Sequence, residues 1–133
     1  MTFFTSIDKH PILYITYTCV FHYSETMDHH LDICLNELKK STLCHRHGAM
    51  VIYRNKVVAS HNYLRTNNHR KSIHAEVAAI QKFMVHHPRR FLHEAVLFVI
   101  RVNRSGQVCN SKPCPACQKY IIKHGIPVTY YSS

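Results

Sequence analysis

Polar and apolar side chains alternate over residues 12–23. Ile15, Tyr17, Cys19, Phe21 and Tyr23 fall on one side of an extended chain, and Thr16, Thr18, Val20 and His22 on the other. That period of two predicts a β-strand. Leu31, Cys34, Leu35 and Leu38 then recur at helical spacing behind the capping residues of 24–28, which predicts a helix over about 26–41. Residues 47–54 read as a strand, Asn55-Lys56 as a tight turn, and 57–62 as the second arm of a hairpin. Residues 63–73 are polar and basic and are expected to form a loop. Ser72 is expected to cap a helix from about His74 to His87, which Pro88 stops. Its Val77, Ile80 and Met84 form an apolar stripe, while Ala75, Ala78 and Ala79 allow close packing.

Residues 95–102 are apolar except for Arg101, the pattern of a strand covered on both faces. Ser105-Gly106 turns the chain. Pro113 and Pro115 lead into a helix that ends near His124, with Gly125 as its C-terminal cap, and 128–131 form a last strand. Helices alternating with strands behind an opening hairpin imply an α/β layered domain.

A chain of 133 residues makes one domain whose core needs no staples. With 46% hydrophobic and 18% charged residues it is not a disordered chain. Seventeen Lys and Arg against seven Asp and Glu give +10, which favours an anionic partner, nucleic acid or a nucleotide phosphate. The charge is uneven. Residues 1–26 hold Lys9 against Asp8 and Glu25, so the whole surplus lies beyond them. The chain therefore divides into an N-terminal extension, 1–26, which holds a candidate edge strand, and a basic domain, 27–133. Thr16, Thr18 and His22 break the longest apolar run, 12–23. It is too short for the roughly 20 residues of a membrane span, and no cleavable leader is evident, so no membrane partner is expected. The six cysteines do not form a secreted disulfide framework. They are expected to be reduced, in an intracellular, cytoplasmic setting. Cys19, Cys34, Cys44 and Cys109 are expected to be buried free thiols.

Two segments carry chemistry. His74-Ala75-Glu76 opens one predicted helix, and Pro113-Cys114-Pro115-Ala116-Cys117 opens another. A Cys-x-x-Cys pair at a helix N-terminus puts both sulfurs on one side, near the positive end of the dipole, where thiolates are favoured. Two thiolates and an imidazole suit zinc, and three protein ligands leave a position for water. Glu76 is near enough to take that water's proton.

These residues resemble the zinc-dependent cytidine and deoxycytidylate deaminase superfamily over residues 27–133. The resemblance takes in the hairpin from His47-Gly48-Ala49 to His61-Asn62, the segment 72–80 around His74-Ala75-Glu76, and 111–117 with its two cysteines. It implies a three-layer α/β/α sandwich with a mixed sheet and one catalytic Zn²⁺ on His74, Cys114 and Cys117. Glu76 would be the proton shuttle. Asn62 and the backbone of Ala75 would contact substrate, and Arg70, in the basic loop before His74, is a candidate phosphate contact. The implied reaction replaces the ring amine of cytosine by oxygen and releases ammonia. Members of that superfamily have a further strand after another helix. Here the run 12–23, or a second copy of the chain in a homo-oligomer, is expected to cover the sheet edge.

Three functions remain open at this point. The first is a deaminase of a cytosine nucleoside or nucleotide. The second is an editing deaminase acting on cytosine or adenine in RNA, tRNA or DNA, favoured by the charge and by the 65–71 loop. The third is an inactive zinc-stabilised binding module. A redox pair at Cys114 and Cys117, and a second metal site from Cys44, His45, His47 or Cys109, are the competing readings of the other motifs.

Overall fold

The computed structural model describes the backbone of residues 3–9, 14–20, 25–67 and 71–132, and the side chains of those from residue 29 onward. Its strands are β1 (Phe3–Lys9), β2 (Tyr14–Val20), β3 (Arg46–Tyr53), β4 (Lys56–His61), β5 (Tyr63–Leu64), β6 (Ser72–Ile73), β7 (Val96–Val102), β8 (Val108–Cys109) and β9 (Val128–Ser132). Its helices are α1 (Glu25–Leu38), α2 (Ala75–His86) and α3 (Pro115–Lys123), with a 3₁₀ turn at Arg89–Glu94.

The main sheet runs in the order β2-β1-β9-β7-β3-β4, with β8 also paired to β7. β7 and β9 are parallel and the other pairings are antiparallel, so the sheet is mixed. Alternation along the central strands sorts their side chains between two cores. Ala49, Val51 and Tyr53 of β3 and Leu97 and Val99 of β7 face α2 and α3, where they pack with Ala75, Ala79, Ile80, Phe83 and Ile121. Met50, Phe98, Ile100 and Val102 face the other way, onto Cys34 and Leu38 of α1. Each strand therefore reads as continuously apolar because both of its faces are covered. The result is the three-layer α/β/α sandwich expected from the sequence.

Gly48 marks a close approach of α1 to the sheet. A Cβ there would lie 2.6 Å from the Cys34 carbonyl oxygen and 3.0 Å from Leu38 Cβ. Only a residue without a side chain lets the helix settle this deeply.

Several boundaries differ from expectation. The β3–β4 turn is Arg54-Asn55, not Asn55-Lys56, because Tyr53 pairs with Lys56. Tyr53 must continue the inward series of Ala49 and Val51, and its ring stacks on Phe91 at 4.4 Å. Arg54 takes the left-handed conformation that closes the turn, with φ at 54°. The segment 63–73 is not a plain loop: β5 and β6 pair within it, Tyr63 opposite Ile73. Ser72 belongs to β6, so the residue at the cap position of α2 is His74. Cys44 is exposed and Cys109 half-buried, where burial was expected; each lies in or beside a short irregular segment, before β3 and in the two-residue β8. Cys34 is buried as expected, and burial, with the charge of Glu37, pushes its thiol up to about 12. The side chain of Cys19 lies outside the described residues.

Candidate metal centre

Two helices begin at one place. His74 occupies the N-cap position of α2 and Cys114 that of α3, and neither side chain caps its own helix. Forgoing a cap typically costs about 1 kcal/mol, and here both cap side chains turn toward each other instead. Pro115 at the first helical position fixes the entry of α3, and Cys117 follows one turn after Cys114.

The donor atoms converge. His74 Nδ1 lies 3.2 Å from Cys117 Sγ and 3.6 Å from Cys114 Sγ, and the three ligand atoms all fall within 4.8 Å of one another. Tetrahedral zinc, with Zn–S of about 2.3 Å and Zn–N of about 2.0 Å, needs donors roughly 3.5–3.8 Å apart. One imidazole nitrogen and two sulfurs at these separations fit that ion. Without a cation, burial and then the Glu76 carboxylate push the Cys117 thiol up. A divalent ion is what makes thiolate favourable in such a place. Among the described residues no second group of this kind forms, at Cys44, His45, His47, Cys109 or elsewhere.

Glu76 sits in the first turn of α2 and is 3% exposed. Burial raises its carboxyl above the usual carboxylate range. A hydrogen bond with Cys117, the charge of His74 and a backbone N–H pull it back without cancelling the rise. A buried carboxyl that can both hold and release a proton thus stands beside the donor set. Ala75, between His74 and Glu76, is fully buried.

His74, Glu76 and Cys114 line a cavity of about 470 Å³, whose wall also includes His47, Asn62, Ser111 and Lys112. Asn62 is buried and doubly tied: its Oδ1 accepts from the His47 N–H at 2.9 Å, and its Nδ2 donates to the His45 carbonyl at 2.7 Å. It therefore holds the 45–47 segment as cavity wall. Burial, aided by the charges of Arg101, His74 and His45, keeps His47 below the usual imidazole range. Arg70 lies outside the described residues. Arg65 and Lys71 are exposed, and neither lines the cavity.

Ser111 and Ser132, for which the sequence alone implies no role, position the Cys114 loop. The Ser111 N–H donates to the Ser132 carbonyl at 2.7 Å, Ser111 Oγ donates to the Val99 carbonyl at 2.8 Å, and the Ser132 N–H donates back to Ser111 Oγ at 2.8 Å. Ser132 Oγ donates to the Cys109 carbonyl at 2.7 Å. Serines beside a Pro-Cys segment and at a strand end were the available signal, but their pairing depends on β7 and β9 being neighbours.

A family model, the cytidine and deoxycytidylate deaminase zinc-binding region, matches residues 24–133. The solved structure of a cytidine deaminase from Burkholderia pseudomallei is similar, with a TM-score of 0.59 at 20% identity over 74% of this chain and 78% of that one. A variant cytidine deaminase from Mycobacterium tuberculosis gives 0.51 at 17% identity over 71% and 72%. At such identities the likeness concerns the fold. No curated relative matches the chain. Among the described residues no helix is long and apolar enough to cross a membrane.

Proposed function

The chain belongs to the cytidine and deoxycytidylate deaminase family, and from that premise we propose that it is a hydrolytic deaminase of a cytosine nucleoside or nucleotide. The observation that carries the reading is the buried Glu76 carboxyl beside a His74–Cys114–Cys117 donor set, with Glu76, His74 and Cys114 lining a cavity. His74, Cys114 and Cys117 would hold a zinc ion, which would supply a water with its pKa lowered toward about 7. Glu76 would take one proton of that water on its carboxylate and pass it to the ring nitrogen beside the reacting carbon, then take the proton of the added hydroxyl and pass it to the amine, which departs as ammonia. Water and cytosine go in; uracil and ammonia come out. In this reading Asn62, on the cavity wall, and the Ala75 backbone would contact the ring and sugar, and Arg70 would contact a phosphate. The reading includes a homo-oligomer and a reducing intracellular setting, which keeps both cysteines free to ligate.

A second reading, deamination within a polynucleotide, draws on Tyr63 and Leu64. Each is 40% exposed, directly after Asn62, and together they offer a surface for a neighbouring unpaired base. The test is ammonia release and the change in ring absorbance from zinc-loaded protein given cytidine, deoxycytidine, their monophosphates and a cytosine-containing oligonucleotide. Turnover of a mononucleoside or mononucleotide is expected. Turnover of the oligonucleotide alone selects the second reading. Zinc bound with no turnover of any of them leaves a binding module and overturns the proposal.

A further inference from the structure

Cys114 ends a segment, 110–114, that belongs to no helix or strand, so its sulfur is placed by whatever holds that segment. Across to the sheet the segment is held at Asn110, whose carbonyl accepts from Arg101 at 3.4 Å, and more closely at Ser111. Ser111 is buried; its N–H and its Oγ bond the carbonyl and N–H of Ser132 at 2.7 and 2.8 Å, and its hydroxyl proton goes to Val99. Only Lys112 and Pro113 separate Ser111 from Cys114, and the Pro113 carbonyl is itself held by Gln118 Nε2 at 2.9 Å. Proline fixes one backbone angle of that path, so a displacement of Ser111 reaches the sulfur.

Ser132, fully buried, ends β9, and β9 lies between β7 and β1. Its pairing with β7 runs to Tyr131, opposite Val99, whereas its pairing with β1 runs one residue further, to Ser132 opposite Phe4. The strand over this flank of β9 is thus 3–9, and the segment 14–20, inside the run expected there, pairs outside it. Without β1 the strand that carries Ser132 would be a sheet edge, free to fray at the end that holds Ser111.

We infer that the N-terminal strand is a working part of the metal centre: β1 holds the end of β9, and Ser132 and Ser111 carry that hold to Cys114. The two serines are positioning residues, acting through the cysteine. The inference rests on the metal centre and not on the identity of the substrate.

The test reads zinc affinity, by competition with a chromophoric chelator, and the visible bands of the cobalt-substituted protein, which report the donor geometry. Ser111→Ala removes the acceptor for the Ser132 N–H, and Thr5→Pro removes a backbone N–H from β1, where Thr5 pairs with Tyr131. Each is expected to weaken zinc binding about tenfold or more and to shift the cobalt bands. Leu38→Ala, in the core on the other side of the sheet, should lower stability in urea and leave affinity and bands unchanged. Linkage demands the reverse effect in the wild type: adding zinc should slow amide hydrogen exchange at 129–132 and at 5–8. That measurement needs no variant, so it decides the role of β1 even where Thr5→Pro does not fold. Wild-type affinity and bands in folded Ser111→Ala, or an equal loss in Leu38→Ala, overturn the serine relay. Exchange that zinc slows in 109–117 but not in β1 overturns the role of β1. A wild type that binds no zinc overturns the metal centre and the inference with it. Zinc-slowed exchange without turnover of any cytosine substrate overturns the deaminase reading and keeps the inference.

Discussion

His74 and Cys117 are 43 positions apart in the chain, yet Nδ1 of one lies 3.2 Å from Sγ of the other. They stand at the starts of two different helices, α2 and α3, so a metal ion there would tie the two together. Chelating the zinc should therefore loosen the α2–α3 face as well as abolish turnover. With ion at about 1,000 times its dissociation constant, binding contributes about 4 kcal/mol, which corresponds to a melting drop on the order of 10 °C. Scanning calorimetry with and without a chelator checks this. An unchanged melting temperature would mean that the donors do not bind metal in solution.

Glu76→Gln separates the two roles at this site. The amide keeps the volume of the carboxyl but cannot take a proton. Zinc content, measured by elemental analysis, should stay near one per chain while kcat falls roughly 10²- to 10⁴-fold. Loss of zinc in parallel would make Glu76 a support for the donor set instead of a proton carrier.

Asn62 spans a carbonyl and an N–H, so only an amide satisfies both. Asn62→Asp keeps the acceptor for the His47 N–H but sets a second oxygen against the His45 carbonyl, which Nδ2 now reaches at 2.7 Å. Asn62→Ala leaves both backbone groups without that partner. Each variant should lose about 1–3 kcal/mol in urea denaturation, and KM should rise because the 45–47 wall loosens. Full stability in Asn62→Ala would restrict the residue to substrate contact.

The sandwich was legible because the periods of the central strands and of α1 are long and unbroken. Leu31, Cys34, Leu35 and Leu38 specify a helix face, and the continuous run of β7 specifies two covered sides. The donor set was legible because His74, Cys114 and Cys117 stand in short, dense motifs. What escaped is short or non-local. β5, β6 and β8 have two residues each, too few to show a period. The β3–β4 turn moved by one residue because the burial of Tyr53 outweighed the turn preference of Asn55. Arg104 and Cys44 are 60 residues apart, and nothing local to either announces that they meet.

Gly48→Ala tests how tightly α1 is seated. The new methyl would stand 2.6 Å from a backbone oxygen, which cannot rotate away, so α1 must lift from the sheet. A loss of about 1–3 kcal/mol or more is expected, read as a lower midpoint in denaturant. A neutral result would show that α1 shifts at little cost.

Glu37 gives the fold an acid-sensitive joint between α1 and β4. Its Oε1 lies 2.9 Å from His61 Nδ1 and its Oε2 lies 2.9 Å from Lys40 Nζ. Burial pushes the Glu37 carboxyl up, but the hydrogen bonds from His61 and Lys40 and the charges of Lys40 and Lys82 outweigh it, so the group titrates below the usual carboxylate value of 4.5. A carboxyl with a lowered folded-state pKa adds stability above its unfolded value and loses it as pH falls through the folded value. The wild type should therefore exceed Glu37→Gln by about 1 kcal/mol near pH 7. That margin should hold down to about pH 5 and disappear as the pH falls through 4 and below. Urea unfolding of both proteins at a series of pH values measures it. A margin that grows toward low pH would reverse the sign and show that the neutral carboxyl, not the carboxylate, is the form the fold prefers.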